Sequence, residues 1–193
     1  MKKTTVDKWK KKLWFTIYAP KEFDLKEMGE TVATKAESVP GRTIKVSARE
    51  LLNQMRKHYI KIKFRIIKVE GTKAYTETVG HEINEGYLRK FTRRRSSKIE
   101  LVVKGKSKDN LDVKIKIVAI SVRKADTKKK RDIRNAVKEE VKAFIAATNS
   151  DMLISTIVSE KPAKMVMEKI KKICPVKRVE ITKSEIKKPK QTQ

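Results

Sequence analysis

Between Tyr59 and Glu70 apolar and basic residues alternate: Ile60, Ile62, Phe64 and Ile66 against Lys61, Lys63 and Arg65. Successive side chains of a strand point to opposite faces. This segment can therefore satisfy its residues only as a strand with an apolar underside and a cationic outer face. After Ile66 the alternation slips by one residue, with Ile67 and Val69 taking the other phase. Such a slip predicts a β-bulge. Leu111 to Val122 behaves the same way: Leu111, Val113, Ile115 and Ile117 share one phase, then Val118, Ile120 and Val122 take the opposite one. Two long, bulged strands with charged outer faces predict a strongly curled sheet, even a small barrel.

The remaining segments can be placed around these two. Leu13 to Tyr18 is aromatic and β-branched and is stopped by Pro20, so it reads as a first strand with Trp14 in the core. Lys21 to Pro40 has no clear period and reads as a loop. Arg42 to Val46 follows the Pro40-Gly41 turn signal as a short strand, and Ser47 can cap a short helix over Ala48 to Gln54. Gly71-Thr72 turns the long strand back into Ala74 to Ile83 as an antiparallel hairpin. Asn84 is placed to cap a helix through about Arg93. Lys98 to Lys104 pairs with Leu111 to Val122 across a turn at Gly105 to Asn110. The period then becomes helical. Ile133, Val137, Val141, Phe144, Ile145 and Thr148 form one stripe, with Thr127 as the expected cap. A second helix starts at Ser150 or Asp151 and runs through Ser159; Pro162 sits in the first turn of a third, which ends near Ile173. Val176 to Ile186 alternates again. The expected class is α+β: a curled antiparallel β-sheet or small β-barrel with flanking helices and a closing C-terminal strand. Residues 13–186 form one domain, between a basic N-terminal extension (1–12) and a basic C-terminal tail (187–193). Both ends lack the apolar area that would offset their ordering entropy.

Lys and Arg number 50 against 23 Asp and Glu, a surplus of +27. Like charge on that scale destabilises a compact chain, and solubility of a small domain needs only about 2–8 charges. A polyanionic partner is implied. Arg93, Arg94 and Arg95 form the sharpest cluster, followed by Ser96, Ser97 and Lys98, with no compensating acid beside the arginines. Guanidinium forks pair bidentately with phosphate oxygens, and the hydroxyls suit phosphate and 2′-OH groups. Arg123, Lys124, Lys128, Lys129, Lys130, Arg131 and Arg134 gather at the start of the long helix. The helix dipole disfavours cations there, while the free N–H groups welcome a phosphate. Lys8, Lys10, Lys11 and Lys12 interleave with Trp9, a site where a base can stack on the indole.

Catalysis finds no support. His81 and Glu82 are adjacent on a strand and point apart. There is no nucleophile motif, phosphate-cradling glycine loop or metal-ligand spacing, so neither an enzyme nor a cofactor is expected. Cys174 is alone and makes neither an internal disulfide nor a zinc site. No apolar run approaches the ~20 residues of a membrane span, and the start lacks the apolar segment of a secretory signal. A cytoplasmic protein with no membrane partner is expected.

Several segments together resemble a known family. Lys12-Leu13-Trp14-Phe15-Thr16-Ile17-Tyr18-Ala19-Pro20 resembles its opening strand. Phe64 through Val69, Gly71, Ala74, Thr76 and Gly80-His81-Glu82 resemble its central hairpin. Tyr87-Leu88-Arg89 with Arg93 to Ile99 resembles its basic turn, Arg131-Ile133-Arg134 its basic helix start, and Pro175 to Ile181 its closing strand. The family is the archaeal–eukaryotic small-subunit ribosomal protein family eS-one (S-three-a-e), matched in order from about Lys12 to Lys183. Cys174 stands where an aromatic is common, and Gly86 softens the short helix. The long C-terminal extension of eukaryotic members is lacking, so an archaeal-type member is the better match. The resemblance implies a structural ribosomal protein, with a β-barrel body on the platform of the small subunit. It also implies contact with ribosomal RNA near the messenger RNA exit, neighbouring platform proteins and, in eukaryotic members, initiation factors. The residues alone also admit a free-standing RNA-binding chaperone, a nucleic-acid-processing enzyme using His81 or His58, or a peripheral protein on anionic lipid.

Overall fold

A computed structural model describes residues 12–187. Its strands are β1 (Leu13–Tyr18), β2 (Glu27–Ala33), β3 (Thr43–Ser47), β4 (Ile60–Glu70), β5 (Lys73–Ile83), β6 (Lys98–Lys106), β7 (Asp112–Ser121) and β8 (Val176–Lys187). Helices are α1 (Ala48–Leu52), α2 (Glu85–Arg89), α3 (Thr127–Ala147), α4 (Ser150–Val158) and α5 (Lys161–Lys171). The class is α+β, with all eight of these strands in one sheet.

The strand β5 is the hub. One of its edges carries β4 along its length. The other edge is shared: β1 lies parallel to its start, and β8 lies antiparallel to its end from Gly80 to Glu82. The sheet forks there. One branch runs β1–β2, and the other β8–β7–β6. Of the two forms expected, the barrel is not realised, because the sheet does not close. Nor is the sheet wholly antiparallel, because the β1–β5 pair is parallel.

The phase slip in β4 is a bulge: Ile66 faces Thr76 and Lys68 faces Tyr75, leaving Ile67 unpaired and 40 % exposed. The slip in β7 has a different origin. The extra residue, Thr182, lies in the partner strand β8, and β7 itself runs on with Ile117, Val118, Ala119 and Ile120 all buried. Both of its faces are covered at that end, which removes the need to alternate.

On the inner face α3 packs against β6 and α5, α5 against β8, and α4 against α5 and β5. The buried stripe of α3 is Ile133, Val137, Val141 and Ile145, each worth roughly 1.5–3 kcal/mol on burial. Gly105, expected in a turn, belongs to β6: a Cβ there would lie 3.3 Å from Ile145 Cγ2, so its absence lets α3 settle onto the sheet. A smaller core of Phe15, Ile17, Ala33, Val39, Ile66 and Ala74 fills the space under β1, β2 and the tip of the β4–β5 hairpin.

Other expectations are corrected. Residues 21–40 contain β2, an edge strand whose charged sequence shows no alternation because its order comes from backbone pairing with β1. Trp14 is 58 % exposed, since Phe15 and Ile17 hold the inward phase of β1. The N-cap of α3 is Asp126, with Thr127 the first helical residue. Ser47 and Asn84 cap α1 and α2 as expected, accepting from the N–H groups of Arg49 and Gly86. The strand β8 extends to Lys187, one residue into the expected tail.

The β5–β8 junction is locked by two residues. A Cβ on Gly80 would stand 2.1 Å from the Ser184 carbonyl oxygen. His81, 2 % exposed, bonds across the same pair. Its Nε2 lies 2.8 Å from the Ile181 carbonyl, which can only accept. Nε2 therefore carries the proton, and Nδ1 accepts from the Ser184 hydroxyl at 2.5 Å. Burial lowers the imidazole pKa to about 4.

Gly80→Ala should cost at least about 2 kcal/mol in urea denaturation, because the clash is with backbone; a cost within about 0.5 kcal/mol would contradict the junction as described. The depressed pKa of His81 makes the unfolded chain the better proton acceptor from pH 6.5 down to about 4. Stability should fall across that window by about 3 kcal/mol from this group. His81→Gln should flatten that part of the pH profile, and an unaltered profile would contradict the assignment.

Candidate nucleic-acid interface

The three expected clusters fare differently. Lys8, Trp9, Lys10 and Lys11 lie outside the described residues; Lys12 precedes β1 and is partly buried. Arg93, Arg94 and Arg95 are all exposed, on the turn between α2 and β6. The turn is tight: Arg95 adopts a left-handed φ of 67°, and the Ser96 hydroxyl donates to the Arg93 carbonyl at 2.6 Å. Arg123, Lys124, Lys128, Lys129, Arg131 and Arg134 are exposed and Lys130 is partly so, all at or just before the start of α3. Among the described residues, neither the Arg93–Arg95 turn nor these seven side chains form an ion pair.

Ser97 joins the two groups. It was expected as a ligand contact, but the side chain is buried and bonded within the fold. Its hydroxyl accepts from Ala125 N–H at 3.1 Å, and its own N–H donates to Ser121 Oγ at 2.9 Å. Ser121 Oγ in turn donates to the Arg123 carbonyl at 2.6 Å, and Ser121 N–H to the Ser97 carbonyl at 3.0 Å. The chain that leads into α3 is thereby tied to the chain that leaves the arginine turn. Segments that flank the two basic clusters, 28 residues apart in sequence, are bonded to each other. The first turn of α3 receives no side-chain cap from Asp126, so free N–H groups remain at the helix end where the basic residues cluster.

Lys98 is less free than the sequence suggested. Its ammonium lies 2.5 Å from Glu100, which also takes Lys116 at 2.9 Å. These two lysines hold the Glu100 carboxyl below its ordinary range. With Arg89, Thr92 and Lys183, the three residues line a cleft of about 320 Å³ between the α2 segment and the sheet.

The α2 segment is itself pinned to the sheet. Tyr87 stacks on Tyr59, with ring centres 3.7 Å apart, and Phe91 meets Tyr87 edge-on. The Arg178 guanidinium lies 4.7 Å from the centre of the Phe91 ring and bonds Glu180 through Nε at 2.5 Å. The Tyr59 hydroxyl donates to Glu160 at 2.9 Å. This packed cluster makes the arginine turn a rigid mount. Sequence reasoning missed it because its members are scattered from Tyr59 to Glu180.

His81 offers nothing to a substrate, since both ring nitrogens are bonded inside the sheet. No helix among the described residues is long and apolar enough to cross a membrane.

Comparison with known proteins agrees with the resemblance read from the motifs. The profile of the Ribosomal S3Ae family matches residues 1–189. The chain is 35% identical to the small ribosomal subunit protein eS1 of Methanoregula boonei, over 94% of this chain and 90% of that one. It is 37% identical to the eS1 protein of Methanobrevibacter smithii, over 93% of each. It is likewise 37% identical to that of Archaeoglobus fulgidus, over 93% of this chain and 86% of that one. With one profile spanning nearly its whole length and these archaeal relatives aligned end to end, the chain belongs to the ribosomal S3Ae family of small-subunit ribosomal proteins.

Proposed function

We propose that the chain is a structural, non-catalytic constituent of the small ribosomal subunit in the cytoplasm, and that it holds folded ribosomal RNA through the joined surface of the Arg93–Arg95 turn and the start of α3. The observation that carries this reading is the Ser97 strut. It ties together the segments that carry two sets of exposed cations with no ion pair among the described residues, and an arriving anion would relieve their repulsion. Guanidinium pairs with phosphate bidentately, and the α3 N-terminus adds N–H donors to the same target. Arg93, Arg94, Arg95, Arg123, Arg131 and Arg134 carry the phosphate contacts, with Lys124, Lys128, Lys129 and Lys130 supplying further point charge and Ser96 a hydroxyl beside them. Lys98 shapes the adjoining cleft. Lys8, Trp9, Lys10, Lys11 and Lys12 belong to the same reading as further RNA contacts.

The relatives' names support a place in the small subunit, and the family resemblance suggests the platform, near the messenger RNA exit, among neighbouring ribosomal proteins. Messenger RNA and initiation factors are the partners that such a place brings within reach. A free-standing chaperone would use the same chemistry, and sedimentation with small subunits in moderate salt separates the two.

Replacing Arg93, Arg94 and Arg95 together with Ala should leave the isolated fold unchanged, since their side chains are exposed and unpaired. Incorporation into small subunits, read against the wild-type chain in the same cells, should fall severalfold. Normal incorporation of the triple variant would contradict the site.

A further inference from the structure

The strand register places a second basic surface on the molecule, away from the arginine turn. Across six strands, one row of outward positions reads Lys45, Lys63, Gly80, Glu185, Lys114 and Lys104. The neighbouring row reads Ser47, Lys61, Glu82, Lys183, Lys116 and Val102. Three pairs of lysines stand directly opposite one another in the ladder: Lys45 with Lys63, Lys104 with Lys114, and Lys116 with Lys183. Like charges in that position are destabilising. Lys45, Lys116 and Lys183 find carboxylates, at 2.7 Å from Glu82, 2.9 Å from Glu100 and 2.6 Å from Glu185. Lys61, Lys63, Lys104 and Lys114 form no ion pair among the described residues.

We propose that this open outer face of the sheet docks double-helical RNA, through its phosphates and not through its bases. The inference rests on the RNA-binding reading above and adds the surface and the form of RNA that it takes. Neighbouring strands lie about 4.8 Å apart, and alternate residues of a strand about 6.8 Å apart, so the ammonium groups form a shallow grid and not a groove. Neither row contains an aromatic ring. Single-stranded nucleic acid is held by stacking its bases on aromatic side chains, and this face has nothing to stack on. An A-form duplex keeps its bases inside and presents phosphates and 2′-hydroxyls over a broad surface, which flexible lysines match as point charges. The face adjoins the α2 segment, because Lys116 and Lys183 also line the cleft shared with Arg89 and Lys98.

The test is Lys→Gln at positions 61, 63, 104 and 114 together in the full chain, with the matching Lys→Arg variant as control. The probes are an RNA duplex of about 20 base pairs, longer than the ~16 that a double-strand-binding module spans, and a single-stranded uridylate of equal length. The Gln variant should bind the duplex at least about tenfold more weakly, and its log K against log salt slope should be shallower by about 3–4, as expected for four lost phosphate contacts. Single-strand binding should change much less, and the Arg variant should keep duplex binding and slope. Unchanged duplex affinity and slope in the Gln variant would overturn the proposal, as would an equal loss on both probes. A wild-type chain that bound neither probe at low salt would instead overturn the RNA-binding reading on which the proposal rests.

Discussion

Lysine facing lysine across hydrogen-bonded strands is the constraint around which this molecule is built. Pairing between β3 and β4, β6 and β7, and β7 and β8 sets the register, and the register forces Lys45 against Lys63, Lys104 against Lys114 and Lys116 against Lys183. Glu82, Glu100 and Glu185 pair with Lys45, Lys116 and Lys183, while Lys63, Lys104 and Lys114 form no ion pair among the described residues. What holds the sheet together lies underneath, where Ile62, Phe64, Ile115 and Ile117 meet the buried sides of α3, α4 and α5. The two sides of each strand thus do opposite things. One supplies cohesion, and the other gathers like charge whose repulsion an opposite charge would relieve.

The architecture then serves to hold basic groups still. At the hub, Gly80 and His81 let β8 close against β5 with no room for a side chain and with both imidazole nitrogens engaged. From β8, Arg178 reaches over Phe91 and fixes the segment that leads to the arginine turn. From β7, Ser121 and Ser97 tie that turn to the approach to α3. The exposed cations therefore sit on elements whose buried ends are specified by packing, which is how a chain with so large a net charge presents a defined surface.

Much of this was legible in the sequence because periodicity reports burial directly. The alternation of β4 and its slip at Ile67, the α3 stripe, and the caps Ser47 and Asn84 all took their expected places. Failures share a physical cause: the deciding partner was distant. The pattern of β2 is unreadable because an edge strand is ordered by its neighbour's backbone. The slip in β7 reflects Thr182 in β8, and the position of Gly105 depends on Ile145. At the site, the exposed arginines and the helix start could be read from charge runs. The burial of Ser97 and the alignment of sheet lysines could not, because each depends on a register that no local window contains. The alternating Lys61, Lys63 and Arg65 carried the signal for a basic face, but not for which strands would lie beside it.

The central claim is that surplus positive charge destabilises the free chain and that RNA relieves it. The most direct measurement is the unfolding midpoint of the purified protein at low ionic strength, alone, with added salt, and with a stoichiometric amount of folded small-subunit ribosomal RNA. The midpoint should rise with salt, as screening weakens the repulsion within about a Debye length, and should rise further with RNA, which binds the folded surface more tightly than the unfolded chain. A midpoint indifferent to both additions would show that the charge is neither a strain on the fold nor a means of holding RNA.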